Sequence, residues 1–401
     1  MKYCLILAII SIVNAGYILQ LTDLHMDRHY TIGTQANCKS YTTGLRCCHK
    51  YNIGTTPERR ASQWGDYHCD APFKLLNLTL FYTAKLPYQF DYVFWTGDGP
   101  DHNDLTQSLK GNLETIQILT TLIKNYFPNL PVFPIDGNHD TWPIDQLSPY
   151  QAIADIMLKP TYQYWFDAGW LTATEQETFL KGGYYTRMLK PGLHVVGINS
   201  LYYDNNNLLN KKYDNSGNQT SWLESTLDSL KNSTVWLLGH IFPGTGEATP
   251  YFDNLMTKLL KKYPNIQSFW GHTHRDQTIL YGNYSVGLVA SSLVPDRVNP
   301  SVTIYQTDEN KIVDKIVHYL DLQYLLDTGD PEFKFLYSAR KSYGIDDLSV
   351  NSITNLTERL KNNQTLAGVY CNNFYVDAKN VSSSECEKLV EAIQYKTPSS
   401  Y

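Results

Sequence analysis

Residues 132–140 read Val-Phe-Pro-Ile-Asp-Gly-Asn-His-Asp, an apolar run that breaks at a glycine and continues into polar residues. Such a run is typical of a buried strand, and the glycine indicates a turn at the strand's carboxyl end. In α/β folds the chemistry lies at that end. Asn138 offers a neutral oxygen, His139 a proton that moves near neutral pH, and Asp140 an acceptor behind them. We therefore predict that this strand delivers Asn138 and His139 into an active site.

The same pattern recurs at four more apolar runs, each of which ends in residues able to bind a metal ion. Residues two apart on an extended chain lie on the same face, so the two side chains of an Asp-X-His or His-X-His motif can bind one cation. The candidates are Asp23, His25, Asp98, His240, His272 and His274. With Asn138 they supply oxygen and imidazole donors without a thiolate, which suits two divalent ions sharing a carboxylate. Each motif alone could be an ordinary polar loop; five together indicate a dinuclear metal site.

Segments with helical periodicity separate most of these runs. Strand patterns cover residues 16–22, 90–96, 193–200 and 235–240, and helical patterns cover 75–86, 107–127, 222–230 and 251–262. This alternation predicts an α/β fold. From about residue 323 the pattern becomes helical. We expect a catalytic domain over residues 16–322 and a small helical C-terminal subdomain over residues 323–401.

Composition and charge describe an ordinary globular protein. The 401 residues are 42% hydrophobic and 18% charged, which is inconsistent with a disordered chain. The net charge of −6 is spread without a basic block. Because long polyanions need a positively charged surface, this distribution argues against a nucleic-acid scaffold.

The N-terminus has the features of a secretory signal peptide over residues 1–15: Lys2, an apolar stretch over 5–13, and small residues before a cleavage site. A membrane anchor is the alternative, because apolar residues continue through 17–19. We favour the signal, since residues 17–21 are needed as a strand, and expect no stable membrane anchor. Seven Asn-X-Ser/Thr sequons also favour a secreted or lysosomal glycoprotein. They begin at Asn77, Asn218, Asn232, Asn283, Asn355, Asn363 and Asn380.

The cysteines agree with an oxidising compartment. Removal of Cys4 with the signal leaves six, clustered near each end of the chain, which is typical of disulfides closing loops. The adjacent Cys47 and Cys48 must bond to different partners. We predict the pairs Cys38–Cys47, Cys48–Cys69 and Cys371–Cys386.

The spacing of the metal-binding motifs resembles that of the calcineurin-like metallophosphoesterase superfamily. Finer motifs resemble the acid sphingomyelinases and acid sphingomyelinase-like phosphodiesterases over essentially the whole mature chain. These motifs are Leu21-Thr-Asp-Leu-His25, Trp64-Gly-Asp-Tyr-His-Cys-Asp70, Trp95-Thr-Gly-Asp-Gly-Pro-Asp-His102 and Asn299-Pro-Ser301. The resemblance implies a four-layer β-sandwich flanked by helices.

The resemblance also implies roles for the candidates. It implies two zinc ions: Asp23, His25 and His274 hold the first, Asn138, His240 and His272 the second, and Asp98 bridges them. A hydroxide between the ions attacks phosphorus in line. His139 protonates the leaving oxygen, and His102 binds phosphate or orients that step. Asp140 stands where acid sphingomyelinase has a glutamate, which leaves its role open.

One departure bears on the substrate. Acid sphingomyelinase has an N-terminal saposin-type domain, whereas here the signal adjoins the first catalytic strand. This favours a phosphodiesterase acting on small nucleotide or choline-headgroup phosphodiesters and phosphoanhydrides, with sphingomyelin cleavage to ceramide and phosphocholine as the alternative. We also expect a monomer. A phosphomonoesterase of the purple acid phosphatase kind is disfavoured, because Asp101 occupies the position of its tyrosine ligand. A catalytically silent ligand-binding glycoprotein is disfavoured because the ligand set is intact.

Overall fold

A computed structural model describes residues 15–37, 47–51, 59–103, 106–210 and 215–395. Two mixed β-sheets form the centre of the fold. The first has the strand order β12-β11-β10-β1-β2-β3, and the second has the order β13-β8-β9-β7-β6-β5-β4. The strands are β1 Gly16–Leu21, β2 Phe90–Trp95, β3 Val132–Pro134, β4 Tyr185–Lys190, β5 Leu193–Gly197, β6 Thr234–Leu238, β7 Ile266–Trp270, β8 Gln277–Tyr281, β9 Ser285–Val289, β10 Ser301–Asp308, β11 Lys311–Leu320, β12 Phe333–Ser338 and β13 Gln394–Tyr395.

Helices connect and flank the strands, which confirms the α/β class. They are α1 Phe73–Thr83, α2 Leu109–Tyr126, α3 Gln151–Asp167, α4 Ala173–Gly182, α5 Gln219–Ser229, α6 Pro250–Lys262, α7 Leu322–Thr328, α8 Ala339–Tyr343, α9 Val350–Asn362, α10 Gln364–Phe374 and α11 Ser383–Ala392. Capping side chains mark the first residues of two of these helices. The Ser108 side chain accepts a hydrogen bond from a first-turn amide of α2, and Thr249 does the same before Pro250 of α6.

The two sheets pack face to face through aromatic side chains. Phe94 of β2 lies 6.0 Å from Trp236 of β6 and 5.1 Å from Phe269 of β7, measured between ring centroids. Phe269 also lies 5.0 Å from Tyr305 of β10. These rings are buried, and large buried aromatic surfaces contribute strongly to core stability. This packing fixes the strand ends of one sheet in position relative to those of the other.

Parallel pairing places the polar strand ends at one edge. In the first sheet β1, β2 and β3 run parallel, and in the second β5, β6 and β7 do so. The carboxyl ends of β1, β2, β3, β6 and β7 therefore deliver the segments that follow them to a common region. These are the five strand ends at which the sequence predicts metal ligands.

Residues 323–395, the described part of the C-terminal segment, are mostly helical, but they are joined to both sheets. β12 extends the first sheet by pairing with β11, and β13 extends the second by pairing with β8. In β11 the buried Lys315 ammonium lies 3.0 Å from Asp276, which also accepts a hydrogen bond from Tyr337 of β12. The boundary at residue 322 stays a prediction, because these strand pairs cross it.

Where both cysteines of an expected pair are described, the structure contains the disulfide: Cys48–Cys69 and Cys371–Cys386. The Cys38–Cys47 pair stays a prediction, because Cys38 lies outside the described residues, as do residues 1–14 of the expected signal peptide. Among the described helices, none has an apolar stretch long enough to cross a bilayer.

Candidate active site

The seven candidate metal ligands converge between the two sheets. Each follows a strand: Asp23 and His25 follow β1, Asp98 follows β2, Asn138 follows β3, His240 follows β6, and His272 and His274 follow β7. All seven are buried or nearly so. Five of them, Asp23, His25, Asp98, His272 and His274, have positive φ angles between 39° and 80°. Such strained backbone at non-glycine residues clusters at functional sites, where the surrounding fold holds it in place.

Two glycines allow the strand-end loops to approach each other. Gly97 has φ +91°, and a Cβ atom there would lie 2.4 Å from the amide nitrogen of Gly137. A Cβ atom on Gly137 would lie 2.2 Å from a carboxylate oxygen of Asp98. No side chain fits at such distances, so the glycines after β2 and β3 are needed to bring Asp98 beside Asn138.

The donor atoms form a first group around His25 and His274. Their Nε2 atoms lie 3.0 Å apart. The Nε2 of His274 is 3.4 Å from Asp23 Oδ1, and the Nε2 of His25 is 3.4 Å from Asp98 Oδ2. Nitrogen and carboxylate atoms this close fit the donor set of one divalent cation.

A second group forms around His240. Its Nε2 lies 3.0 Å from Asn138 Oδ1 and 3.0 Å from Asp98 Oδ2, and the Nδ1 of His272 lies 3.1 Å from the same Asn138 oxygen. Asp98 Oδ2 is therefore common to both groups. The residues fit two divalent metal ions that share one carboxylate oxygen.

The outer nitrogen of each histidine ligand has a partner that orients the ring. The Nδ1 of His25 lies 2.8 Å from the carbonyl oxygen of Pro100, and the Nδ1 of His240 lies 2.7 Å from that of Thr96. A carbonyl only accepts, so both Nδ1 atoms carry a proton, and the Nε2 atoms face the site as the nitrogens that would bind an ion.

Carboxylates orient the other two rings. The Nδ1 of His274 lies 3.2 Å from Asp296, and the Nε2 of His272 contacts Glu247. A third carboxylate, Asp145, accepts a hydrogen bond of 2.8 Å from the Asn138 side-chain amide, which turns the Asn138 oxygen toward the two histidines. Sequence reasoning missed all three, because they lie in irregular segments without a motif.

Asp140 joins the two central loops. Its carboxylate accepts hydrogen bonds from the backbone amides of Asp98, Gly99 and Gly137, at 2.8, 2.9 and 2.6 Å. Burial and the nearby Asp98 raise the pKa of Asp140 to about 6. Its contacts give Asp140 a structural role, because it holds the loops that carry Asp98 and Asn138 in register.

Two further histidines face the same cleft. The rings of His102 and His139 lie 4.5 Å apart, and the ring of His102 stacks on His25 at 3.7 Å. Asp70 fixes His102 by accepting hydrogen bonds from its backbone amide, at 2.8 Å, and from its Nδ1, at 2.6 Å. Asp70 follows Cys69 directly, so the Cys48–Cys69 disulfide lies next to this contact. Asp70 stood in a motif of the sequence, yet nothing in the sequence assigned its partner.

The electrostatics of the site reflect these contacts. Burial alone would raise the pKa of Asp98, but His240 and His139 hold it below its usual range. Burial would lower the pKa of His240, yet Asp98 raises it to about 10. Burial disfavours the charged form of His139 and lowers its pKa to about 3. Its Nδ1 has no hydrogen-bond partner among the described residues, while its backbone amide donates to Asp98 at 2.8 Å.

The cleft above these groups has a volume of about 420 Å³. Ile144 is the only apolar side chain among the residues that line it in the described part of the chain. The floor carries Asp98, Asn138, His139 and His102. With divalent cations bound to the ligands below it, the cleft could hold a small anionic group beside the imidazoles of His102 and His139.

Comparisons with known proteins agree with this arrangement. The family model of the calcineurin-like phosphoesterases matches residues 16–276. The chain belongs to the calcineurin-like phosphoesterase family. The model of the acid sphingomyelin phosphodiesterase C-terminal region matches residues 282–401, which places this phosphoesterase in the acid sphingomyelinase-like branch.

Three curated relatives illustrate the family. Sphingomyelin phosphodiesterase A of Dictyostelium discoideum is 32% identical over 90% of this chain and 62% of its own length. Sphingomyelin phosphodiesterase B of the same organism is 27% identical over 94% of this chain and 62% of its own length. The cyclic GMP-AMP phosphodiesterase SMPDL3A of Homo sapiens is 28% identical over 94% of this chain and 86% of its own length. The phosphoesterase chain thus spans about three fifths of the Dictyostelium relatives.

Proposed function

We propose that the protein is a secreted or lysosomal phosphodiesterase with two zinc ions, which hydrolyses phosphodiester or phosphoanhydride bonds of nucleotide or choline-headgroup substrates. The observation that carries this proposal is the position of Asp98 Oδ2. It lies within 3.4 Å of His25 in one donor group and within 3.0 Å of His240 in the other. A single carboxylate between two such groups is what a dinuclear phosphoesterase requires.

The donor chemistry supports zinc. In the proposal Asp23, His25 and His274 hold one ion, Asn138, His240 and His272 hold the other, and Asp98 contacts both. Four of these seven ligands are imidazoles and none is a thiolate, and imidazole nitrogen suits zinc better than it suits magnesium or calcium. The carbonyl and carboxylate partners behind the imidazoles resemble the outer hydrogen bonds that zinc histidines usually make.

Each element of the cleft then has a role. The seven ligands would hold two divalent cations, which would lower the pKa of water and neutralise charge on the phosphoryl oxygens. His139 lines the cleft beside Asp98 and donates a proton to the leaving oxygen, and the phosphodiester anion favours its protonated form. His102, held by Asp70, binds a phosphoryl oxygen and orients that step. Asp140 keeps the supporting loops in place.

The surface is consistent with a glycoprotein. The asparagines of six sequons are exposed, at Asn218, Asn232, Asn283, Asn355, Asn363 and Asn380. Asn77 is half-buried, and its side chain accepts a hydrogen bond of 2.9 Å from Tyr126, so it is the sequon least open to modification. We propose that the six exposed sites carry glycans and that the protein acts as a monomer.

The substrate class follows from the relatives only as a proposal, because their names cover both a membrane lipid and a cyclic dinucleotide. The test uses purified, zinc-loaded protein with bis-p-nitrophenyl phosphate, ATP and dispersed sphingomyelin at acidic and neutral pH. We expect turnover of the first two to exceed lipid cleavage. Dominant lipid cleavage would establish the sphingomyelinase alternative. Absence of turnover with both ions bound would contradict the proposal and favour a silent binding protein.

A further inference from the structure

The ring of His139 lacks the kind of side-chain contact that fixes the ring of His102. The Nδ1 of His139 has no hydrogen-bond partner among the described residues, whereas the Nδ1 of His102 lies 2.6 Å from Asp70. A general acid must nevertheless keep its place relative to the bond that it cleaves. The position of the His139 ring therefore depends on how the backbone of this residue is held.

Asn112 of α2 holds that backbone. Its side-chain nitrogen lies 2.8 Å from the carbonyl oxygen of Thr141 and 3.2 Å from that of His139. Carbonyl oxygens only accept hydrogen bonds, so the side-chain amide presents its nitrogen and not its oxygen to them. Asn112 is 2% exposed, although asparagine is a poor helix former. A buried asparagine at this point of a helix indicates that its contacts have a role.

Gln107 extends the contact to the loop that carries His102. Its Oε1 accepts a hydrogen bond of 3.2 Å from the same Asn112 nitrogen, and its Nε2 donates to the carbonyl oxygen of Asp101. The backbone amide of Gln107 donates to the carbonyl oxygen of Asn103 at 3.2 Å. Asp101 and Asn103 are the chain neighbours of His102. Gln107 and Asn112, which we call the amide pair, therefore connect the backbones of the two histidine loops.

The His102 loop also has contacts of its own. The side-chain amide of Asn103 donates to the hydroxyl of Tyr51, which lies 2.9 Å from the Nδ1 of His49. His49 and Tyr51 follow the disulfide-bonded Cys48 directly. Because the disulfide-bonded segment supports the His102 loop, the amide pair can position His139 relative to that loop.

We propose that Asn112 and Gln107 are positioning residues, which keep the imidazole of His139 directed at the leaving oxygen and at a fixed distance from His102. This inference rests on the proposed phosphodiesterase function and adds two residues to its machinery. Asp140 keeps the metal-ligand loops in register, and the amide pair does the same for the two imidazoles. Neither residue of the pair belongs to a donor group or is among the residues that line the described cleft. Their loss should therefore lower kcat and leave KM and metal content unchanged.

The experiment compares the wild type with Asn112→Leu, which keeps the size of the side chain and removes its donors. Crystal structures measure the distance between the two imidazole rings, which is 4.5 Å here. Turnover is measured with bis-p-nitrophenyl phosphate and with glycerophosphocholine, an alkyl phosphodiester. We expect the ring of His139 to move relative to His102 and kcat for the alkyl ester to fall by roughly 10–100-fold, with a smaller loss for the p-nitrophenyl ester.

Two further variants accompany Asn112→Leu. Gln107→Leu should lower kcat in the same direction but less, because Asn112 keeps its own contacts with the His139 loop. It undergoes the same measurements and decides the question if Asn112→Leu does not fold. The matched control is Thr120→Val, which should turn over like the wild type. Thr120 is buried in the same helix, and its Oγ1 has no hydrogen-bond partner among the described residues.

A double variant separates positioning from general destabilisation. If Asn112 acts through His139, adding Asn112→Leu to His139→Ala should change kcat by less than about twofold, because residues that act as a unit are not additive. Additive losses, an unmoved His139 ring in Asn112→Leu, or an equal loss in Thr120→Val would each overturn the inference. A wild type without turnover would contradict the proposed function, whereas the ring position is measured without activity and tests the positioning separately.

Discussion

The strand-end cleft and the C-terminal helices α9–α11 are built in opposite ways. The cleft collects ligands from Asp23 to His274, which span 252 residues of chain, and holds buried polar groups on strained backbone. The helices α9–α11 lie within residues 350–392, pack apolar side chains such as Leu356 and Val390, and are closed by Cys371–Cys386.

The comparison shows that the cleft supplies the ligands at a cost in stability, whereas helices α9–α11 supply stability and no ligand. Buried charges and positive-φ ligands cost stability unless the surrounding fold or a bound ion offsets them. Apolar helix packing contributes stability without contributing a donor atom. Substitutions in the cleft should therefore change metal content or turnover far more than unfolding, and substitutions in α9–α11 should do the reverse.

The largest effect is expected for Asp98→Ala, because Asp98 is shared by both donor groups. Removal of a group that only orients a metal ligand typically lowers metal affinity by about 10–100-fold. We expect a larger fall for Asp98→Ala, because the ligand itself is lost. Turnover should disappear with the metal. Elemental analysis after dialysis measures the ions per chain. Retention of two ions would show that Asp98 is not the shared ligand.

A smaller effect is expected for His139→Ala. We expect two ions per chain as in the wild type, since His139 is not in either donor group, and a fall in turnover of roughly 10²–10⁴-fold for loss of a general acid. The loss should be greatest for substrates with poor leaving groups, because p-nitrophenolate leaves without a proton. An equal loss for alkyl and p-nitrophenyl esters would argue against proton donation by His139.

The smallest effect on turnover is expected from the disulfides, and there the two regions can be compared directly. Replacing Cys48 and Cys69 by serine should lower turnover by roughly ten-fold or more, as for removal of groups that orient an active-site residue, because Asp70 beside Cys69 holds His102. Replacing Cys371 and Cys386 should lower only the free energy of unfolding, by about 2–4 kcal/mol. Steady-state kinetics and thermal unfolding of both variants measure this. Equal turnover losses would mean that the first disulfide has no special relation to His102.

The sequence predicts the strand ends well because each combines an apolar run with a ligand, and all but the β1 end have a glycine directly before the ligand. Asp23 and His274 could be placed at one edge from this pattern alone. The partners behind the ligands could not, since the proximity of Asp296 to His274 and of Asp70 to His102 depends on the paths of irregular loops. β12 and β13 were read as part of a helical segment, because they are edge strands of six and two residues. The exposure of Leu208 could not be predicted either, since it depends on what packs against it.

The pairing of β1 has a consequence for synthesis of the chain. β1 lies between β2, which follows it by about 70 residues, and β10, whose first residue is Ser301. At about 5–20 residues per second, the ribosome needs roughly 14–56 s to pass from Leu21 to Ser301. During that interval one edge of β1 has no strand beside it, although Asp23 and His25 have already been made. Nascent chains of this protein should therefore depend on chaperones until β10 emerges, and metal binding should follow translation of the second sheet.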